Sequence, residues 1–121
     1  MQSAEAVEWR NLEVAKLCHD AALRVFKATE QFPRQVEYSL TKQIQRSSLS
    51  VVANIVEGKG RRTSRDLKNF LTIARGSLDE TRYFLLFARD YGCLALSDYA
   101  DLDKRYEIAR RMLNSLIAHI N

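Results

Sequence analysis

Apolar residues recur at spacings of three and four along four long segments of the chain, with polar residues between them. This spacing places apolar side chains on one face of a helix. Proline and glycine residues separate the segments, and the breaks are short. Short connections make consecutive helices antiparallel neighbours. The pattern predicts an all-α fold, a left-handed, antiparallel up-down-up-down four-helix bundle in one domain (1–121), with helices at about 4–32, 37–57, 64–91 and 97–120.

Particular residues mark the predicted helix ends. Pro33 ends the first helix, because the residue before a proline avoids the helical region. Gly58 or Gly60 closes the second helix in the way that glycine usually does. Thr63 and Ser97 have side chains suited to capping the N-termini of the third and fourth helices. Gly92 ends the third helix.

The apolar stripes predict the core of the bundle. Serine within the second stripe would let a neighbouring helix approach closely. The expected core positions are Val14, Leu17, Cys18, Ala21, Ala22 and Val25 in the first helix; Leu40, Ile44, Ser48, Val51 and Ile55 in the second; Leu67, Phe70, Leu71, Ala74, Leu78, Thr81, Leu85 and Ala88 in the third; and Tyr99, Leu102, Tyr106, Ala109, Leu113, Leu116 and Ile120 in the fourth.

Positive charge is concentrated in the middle of the chain. The net charge of the whole chain is +4, but 34–75 holds nine basic and three acidic residues, a net charge of +6, which leaves −2 for the rest. The densest part surrounds the predicted N-terminus of the third helix, where free amides also attract anions. We predict that this basic segment binds nucleic-acid phosphates through Lys59, Arg61, Arg62, Arg65 and Lys68. The alternative is a solvated loop that keeps the protein soluble.

The sequence offers no constellation for catalysis. His19 and Asp20 are adjacent, and adjacent residues do not share a helix face. The Glu-x-x-His pairs that bind metals in bundles are absent, and the 58–62 loop lacks the spacing of a nucleotide-binding loop. Cys18 and Cys93 are far apart and predict free thiols in a reducing compartment. We therefore expect no enzyme activity, no metal and no cofactor.

The third helix carries more apolar side chains than a monomer buries. Tyr83 and Phe87 lie opposite the core position Leu85 on a helical wheel, so the helix is apolar on two sides. This excess predicts self-association into a homo-oligomer through Tyr83, Phe84, Phe87 and Tyr91. The alternative is a partly exposed aromatic cluster, which single proteins tolerate.

Membrane and export signals are not visible in the sequence. No apolar run approaches the length that spans a bilayer. Residues 1–10 lack the apolar stretch of a secretion signal. We expect a cytoplasmic protein with no membrane partner.

Three motifs occur in a fixed order along the chain. They are Leu40-Thr-Lys-Gln-Ile-Gln-Arg46, then Ser50-Val-Val-Ala-Asn54-Ile-Val-Glu-Gly58-Lys-Gly-Arg-Arg62, then Phe70-Leu-Thr-Ile-Ala74-Arg-Gly-Ser77-Leu-Asp-Glu80. Together with Trp9 they resemble the four-helix bundle proteins of 23S rRNA intervening sequences, over about Trp9 to Leu94.

The resemblance implies a cytosolic bundle that assembles into a ring of five subunits, a homopentamer. The family is in turn distantly similar to the accessory variability determinant of diversity-generating retroelements, a basic pentamer that binds nucleic acid and a reverse transcriptase. The resemblance therefore implies further copies of the chain as partners, and more distantly RNA or DNA and a reverse transcriptase.

The motif residues also have a structural interpretation. Buried charges require partners, and Gly76 would permit close backbone approach. We predict a buried polar network, with a ligand site as the alternative, made of Arg46, Asn54, Glu57, Ser77 and Glu80.

Two functions of different classes follow from these observations. The first is a non-enzymatic oligomeric protein that binds nucleic acid through the basic segment, as an accessory of a retroelement or an rRNA intervening sequence. The alternative is an oligomeric protein-interaction scaffold with no nucleic-acid role.

Overall fold

A computed structural model describes residues 12–120 of the chain. Four long helices occupy most of this range, and no strand occurs within it. A 3-10 turn (Arg34–Val36) and a π-helical turn (Glu37–Thr41) precede the second of them. The all-α fold predicted from the sequence is confirmed. The helices are α1 (Glu13–Thr29), α2 (Lys42–Lys59), α3 (Ser64–Tyr91) and α4 (Leu96–Ala118).

The first two helices are shorter than the periodicity predicts. The predicted start near residue 4 lies outside the described residues. α1 ends at Thr29 rather than 32, and a turn bond from the Phe32 amide to the Thr29 carbonyl follows it. α2 begins at Lys42 rather than 37, because the π-helical turn comes first. This wider turn accommodates the spacing of four between Val36, Leu40 and Ile44, all three of which are buried.

Three of the predicted helix ends agree with the structure, and one is wrong. Gly60 is the C-cap of α2, with a φ of −85°. The Thr63 hydroxyl accepts a hydrogen bond from the Asp66 amide at 3.1 Å and caps α3. Gly92 ends α3 with a φ of +96°, a left-handed conformation that favours glycine. Ser97 does not cap α4. α4 starts at Leu96, directly after Ala95, which is the N-cap residue. The helix can begin there because the preceding residue, Leu94, is buried and anchors the connection in the core.

The predicted stripes form the core with two exceptions. Phe70 of α3 is partly exposed and is not part of the core cluster, and the other exception is at the end of α4. All five positions of the second stripe are buried, Leu40 in the π-helical turn and the other four in α2, as are most positions of the other three helices. Leu116 was predicted to be in the core but is 37% exposed, whereas Ile117 is 9% exposed. The seam of α4 continues from Leu113 with a step of four residues rather than three, which brings Ile117 to the inner face.

The most extensive helix contact joins α2 and α3. Gly58 is buried there, and a Cβ atom at this position would lie 2.9 Å from the Cβ atom of Phe70 and 3.3 Å from Leu67. Gly76 was predicted to permit a close approach, but no atom lies within 4 Å of a Cβ placed on it. The close backbone approach is therefore at Gly58, because Gly76 is on the exposed face of α3.

Ion pairs join α4 to its two neighbours on the outside of the core. Arg82 of α3 bonds Asp103 at 2.8 Å, and Asp79, one turn earlier, bonds Arg110 at 2.7 Å. Residue numbers thus fall along α3 as they rise along α4, the order expected of antiparallel neighbours. Arg105 of α4 also reaches α1, where Asp20 accepts its bond at 3.0 Å. The left-handed twist and the up-down-up-down order of the whole bundle stay predictions.

Candidate nucleic-acid interface and self-association surface

The basic segment lies at the turn between α2 and α3. Lys59 is the last residue of α2, Arg61 and Arg62 are in the turn, and Arg65 and Lys68 are in the first turns of α3. All five side chains are exposed. A turn of only four residues joins two tightly packed helices, so these cations lie together at one end of the α2–α3 pair.

The N-terminus of α3 adds less attraction for anions than the sequence predicts. The Asp66 amide, one of the free amides of a helix start, already donates to the Thr63 hydroxyl at 3.1 Å. The Asp66 carboxylate also lies in this first turn and opposes the positive end of the helix dipole. Attraction for phosphate therefore depends mainly on the basic side chains.

Arg61 is fixed more firmly than an exposed arginine usually is. Its guanidinium donates to the Glu57 carboxylate at 2.6 Å, one helical turn earlier. The same guanidinium lies over the Phe70 ring, 4.8 Å from the ring centroid. The Arg61 amide donates to the Gly58 carbonyl at 3.0 Å. Three contacts thus hold this residue beside the other cations of the basic segment.

The five residues of the predicted polar network fall into three separate sets of contacts. Arg46 and Glu80 form an ion pair at 2.6 Å, but both side chains are about half exposed. Asn54 donates to the Ser50 carbonyl and hydroxyl on its own helix, and that hydroxyl lies 2.8 Å from the Ser77 hydroxyl of α3. Glu57 instead pairs with Arg61. The structure therefore contains no single buried network of these residues.

The fully buried polar contact between α2 and α3 is one that sequence reasoning missed. Thr81 donates to the Ser47 hydroxyl at 2.7 Å, and the Ser77 carbonyl lies 2.8 Å from the same Thr81 oxygen. Thr81 was assigned to the apolar stripe, but its polar role was not predicted. The serine-rich run at 46–50 was the available signal, because small hydroxyl side chains suit a close helix contact.

One outward face of α3 carries a row of exposed apolar side chains. Tyr83, Phe87 and Tyr91 are 58%, 43% and 62% exposed, and the rings of the last two stack at 5.7 Å. Phe84 differs, because it packs against the core and is only partly exposed. Ile73 is 51% exposed on the same side of the helix, ten residues before Tyr83, and was missed. We call Ile73, Tyr83, Phe87 and Tyr91 the exposed stripe.

Histidine, cysteine and carboxylate side chains are the groups within residues 12–120 that could bind a metal or act in catalysis. No group of three His, Cys, Asp or Glu side chains there is placed to hold a metal ion. His19 is exposed, and His119 hydrogen-bonds the Ser115 carbonyl at 2.7 Å. Both cysteines are free thiols, and burial raises the pKa of Cys18 to about 12. Helices long and apolar enough to cross a membrane do not occur in this range.

A cavity of about 370 Å³ lies between the end of α1 and the start of α4, at the opposite end of α3 from the basic segment. Its lining includes Arg24, Asp101 and Cys93. Arg24 is already engaged by Asp20 at 2.9 Å and by Asp101 at 3.7 Å. Burial raises the pKa of Cys93, so its thiol is not activated as a nucleophile.

The four helices define a small all-α protein, with the basic segment at one end of the α2–α3 pair and the exposed stripe along α3. The chain belongs to the family of 23S rRNA-intervening sequence proteins, whose family model matches residues 10–115. This membership confirms the resemblance that the three motifs indicated. No curated protein matches the chain.

A solved structure gives the same result for the fold. It is a protein of unknown function from the S23 ribosomal protein family of Bacteroides thetaiotaomicron, determined at 1.70 Å resolution. The two chains are 27% identical and superpose with a TM-score of 0.78, over 86% of this chain and 97% of that one. The relation to retroelement accessory proteins and the ring of five subunits stay predictions.

Proposed function

We propose that this protein is a non-enzymatic, self-associating bundle that binds nucleic acid through the phosphate backbone. The observation that carries the proposal is the basic segment, in which five exposed cations and one acidic residue, Asp66, occur within ten positions. Lysine and arginine side chains neutralise phosphates and release their counterions, so such a cluster favours nucleic acid as the partner. The turn contains no aromatic residue for base stacking, so binding depends weakly on sequence.

Self-association strengthens the proposed site. Closed symmetric assemblies repeat every surface of the subunit. A ring of five, which the family resemblance implies, repeats the basic segment five times around one rim. The field of such a rim exceeds that of one subunit with its net charge of +4. The exposed stripe of α3 supplies an apolar contact surface for assembly. A cytoplasmic location accords with this function and is part of the proposal.

A binding assay against different nucleic acids tests the proposal. Structured RNA that includes a 23S rRNA fragment, single-stranded DNA and duplex DNA are titrated by gel shift at 50 to 200 mM salt. Contact with about four phosphates predicts a log–log slope of about −3.6, which is roughly a hundredfold loss of affinity over this range. Absence of binding at 50 mM salt would favour a protein-interaction scaffold instead.

A triple variant localises the site. Replacement of Arg61, Arg62 and Arg65 by alanine is expected to flatten the salt slope and weaken binding to all sequences alike. These side chains are exposed, so the helical circular dichroism is expected to stay unchanged. The matched control replaces Arg24, Lys104 and Arg111, which lie on α1 and α4 away from the basic segment. An unchanged slope in the first variant would contradict this site.

A further inference from the structure

Arg61 differs from the other cations of the basic segment in the contacts that the structure gives it. Its guanidinium is held by the Glu57 carboxylate at 2.6 Å and lies over the Phe70 ring at 4.8 Å. The side chains of Arg61 and Glu57 are nevertheless 42% and 54% exposed. An incoming ligand can therefore reach both partners of this ion pair.

A carboxylate and a phosphodiester each present two oxygens that share one negative charge, and the guanidinium of arginine binds either group. Glu57 contacts Arg61 through one such oxygen, at 2.6 Å. A backbone phosphate would compete with this carboxylate for the same guanidinium. An exposed ion pair contributes little stability, so a phosphate can displace this carboxylate.

The Phe70 ring supplies the part of the arrangement that does not depend on Glu57. Phe70 is held against α2 at the close approach of Gly58, where a Cβ atom on Gly58 would lie 2.9 Å from the Phe70 Cβ atom. The helix contact therefore fixes the backbone position from which the Phe70 ring reaches the guanidinium. When the carboxylate leaves, the cation–π contact keeps Arg61 in place.

We propose that Glu57 is an internal competitor for nucleic acid at Arg61. In the free protein the Glu57 carboxylate is hydrogen-bonded to the Arg61 guanidinium. In the complex a backbone phosphate replaces the carboxylate, while Arg61 stays over Phe70. This exchange rests on the proposed function, and it makes Glu57 the residue that limits affinity at the basic segment. The opposite role, in which Glu57 holds Arg61 ready for the phosphate, predicts the opposite sign in the test below.

The test compares Glu57→Gln with Asp66→Asn, the other acidic residue at this turn. Each is made in the wild-type protein and in an Arg61→Ala background, and binding to a fluorescein-labelled 23S rRNA fragment is measured by anisotropy at 50 to 200 mM salt. Removal of any nearby acid raises affinity through the general field, and Asp66→Asn measures that contribution. Glu57→Gln is expected to raise affinity at least about twofold more than Asp66→Asn does. It is also expected to steepen the salt slope by up to about 0.9.

The Arg61→Ala background separates the exchange of Glu57 for a phosphate from the general electrostatic effect of removing an acidic residue. There the extra gain from Glu57→Gln is expected to disappear, while the effect of Asp66→Asn persists. Weaker binding by Glu57→Gln, or equal effects of the two substitutions in both backgrounds, would overturn the exchange while leaving the proposed function intact. No binding by the wild-type protein or any variant at 50 mM salt would overturn both.

Discussion

The side-chain oxygens of Ser47 and Thr81 lie 2.7 Å apart, fully buried where α2 packs against α3. Each oxygen has a further partner on its own helix. Ser47 donates to the Ile44 carbonyl at 3.2 Å, and the Ser77 carbonyl lies 2.8 Å from the Thr81 oxygen. Buried polar groups are costly unless they are bonded, so this pair requires the two helices to keep one register.

This pair is expected to behave as a coupled unit in unfolding experiments. Thr81→Val leaves the Ser47 oxygen without its donor and is expected to cost about 1–2 kcal/mol. The double variant with Ser47→Ala is expected to cost less than the sum of the single variants, by about 0.5–1.5 kcal/mol. Urea unfolding measures each variant. Ser48→Ala is the control, because its hydroxyl bonds the Gln45 carbonyl of α2, and its effect should add to that of Thr81→Val.

Gly58 is expected to tolerate no side chain. Gly58→Ala places a Cβ atom 2.9 Å from the Phe70 Cβ atom, so α2 and α3 must move apart. We expect a net loss of about 1–2 kcal/mol, because strain exceeds the gain in helix propensity. Gly60→Ala is the matched control, with its nearest contact at 3.7 Å and a φ of −85°, and is expected to change stability by less than about 0.5 kcal/mol. Equal effects of the two substitutions would contradict the close approach.

The exposed stripe is expected to be the contact between subunits. Phe87→Glu places a charge on an apolar surface of α3 and should dissociate the oligomer to monomers that remain helical. Leu23→Glu is the control, because Leu23 is 57% exposed on α1, away from the exposed stripe. This change should leave the molar mass of the oligomer unchanged. Light scattering at micromolar concentration measures both. A monomeric wild-type protein, or equal dissociation by both variants, would exclude this surface.

Cys18 is expected to make stability depend on alkaline pH. Burial raises its pKa to about 12 in the folded protein, from an ordinary value of 9.0. Above pH 9 the unfolded chain loses a proton that the folded protein retains, so the unfolded state becomes favoured as pH rises. The thiol thus contributes stability that is complete below pH 9 and is lost as pH rises towards 12. The slope approaches about 1.4 kcal/mol per pH unit.

The Cys18→Ala variant isolates this dependence. Its loss of stability relative to wild type is expected to shrink by about 1.4 kcal/mol between pH 8 and pH 10, because the variant has no thiol to titrate. Urea unfolding at the two pH values measures the difference. Cys93→Ala, at a half-buried thiol, is the control and should show a smaller change. A difference that does not vary with pH would show that the Cys18 thiol titrates normally.

Periodicity along the sequence was sufficient for the helices and for most of the core. The second stripe, from Leu40 in the π-helical turn to Ile55 of α2, is buried at every predicted position. The Thr63 cap and the Gly92 end of α3 could also be predicted from the sequence, because each depends on atoms within a few residues. The basic segment is likewise contiguous, so sequence alone showed that its charges lie together, and the short turn between α2 and α3 keeps them there.

Contacts between residues distant in sequence were decided only by the tertiary structure. The sequence motifs placed Glu57 in one network with Arg46. In the structure Glu57 pairs with Arg61, and Arg46 pairs with Glu80, which lies 34 positions further along the chain. The close approach falls at Gly58 rather than Gly76, because Gly58 is buried in the α2–α3 contact whereas Gly76 lies on the exposed face of α3. Helical periodicity determines which side of a helix is buried. The relative position of two packed helices determines which side chains meet, and that depends on the packing of the whole core.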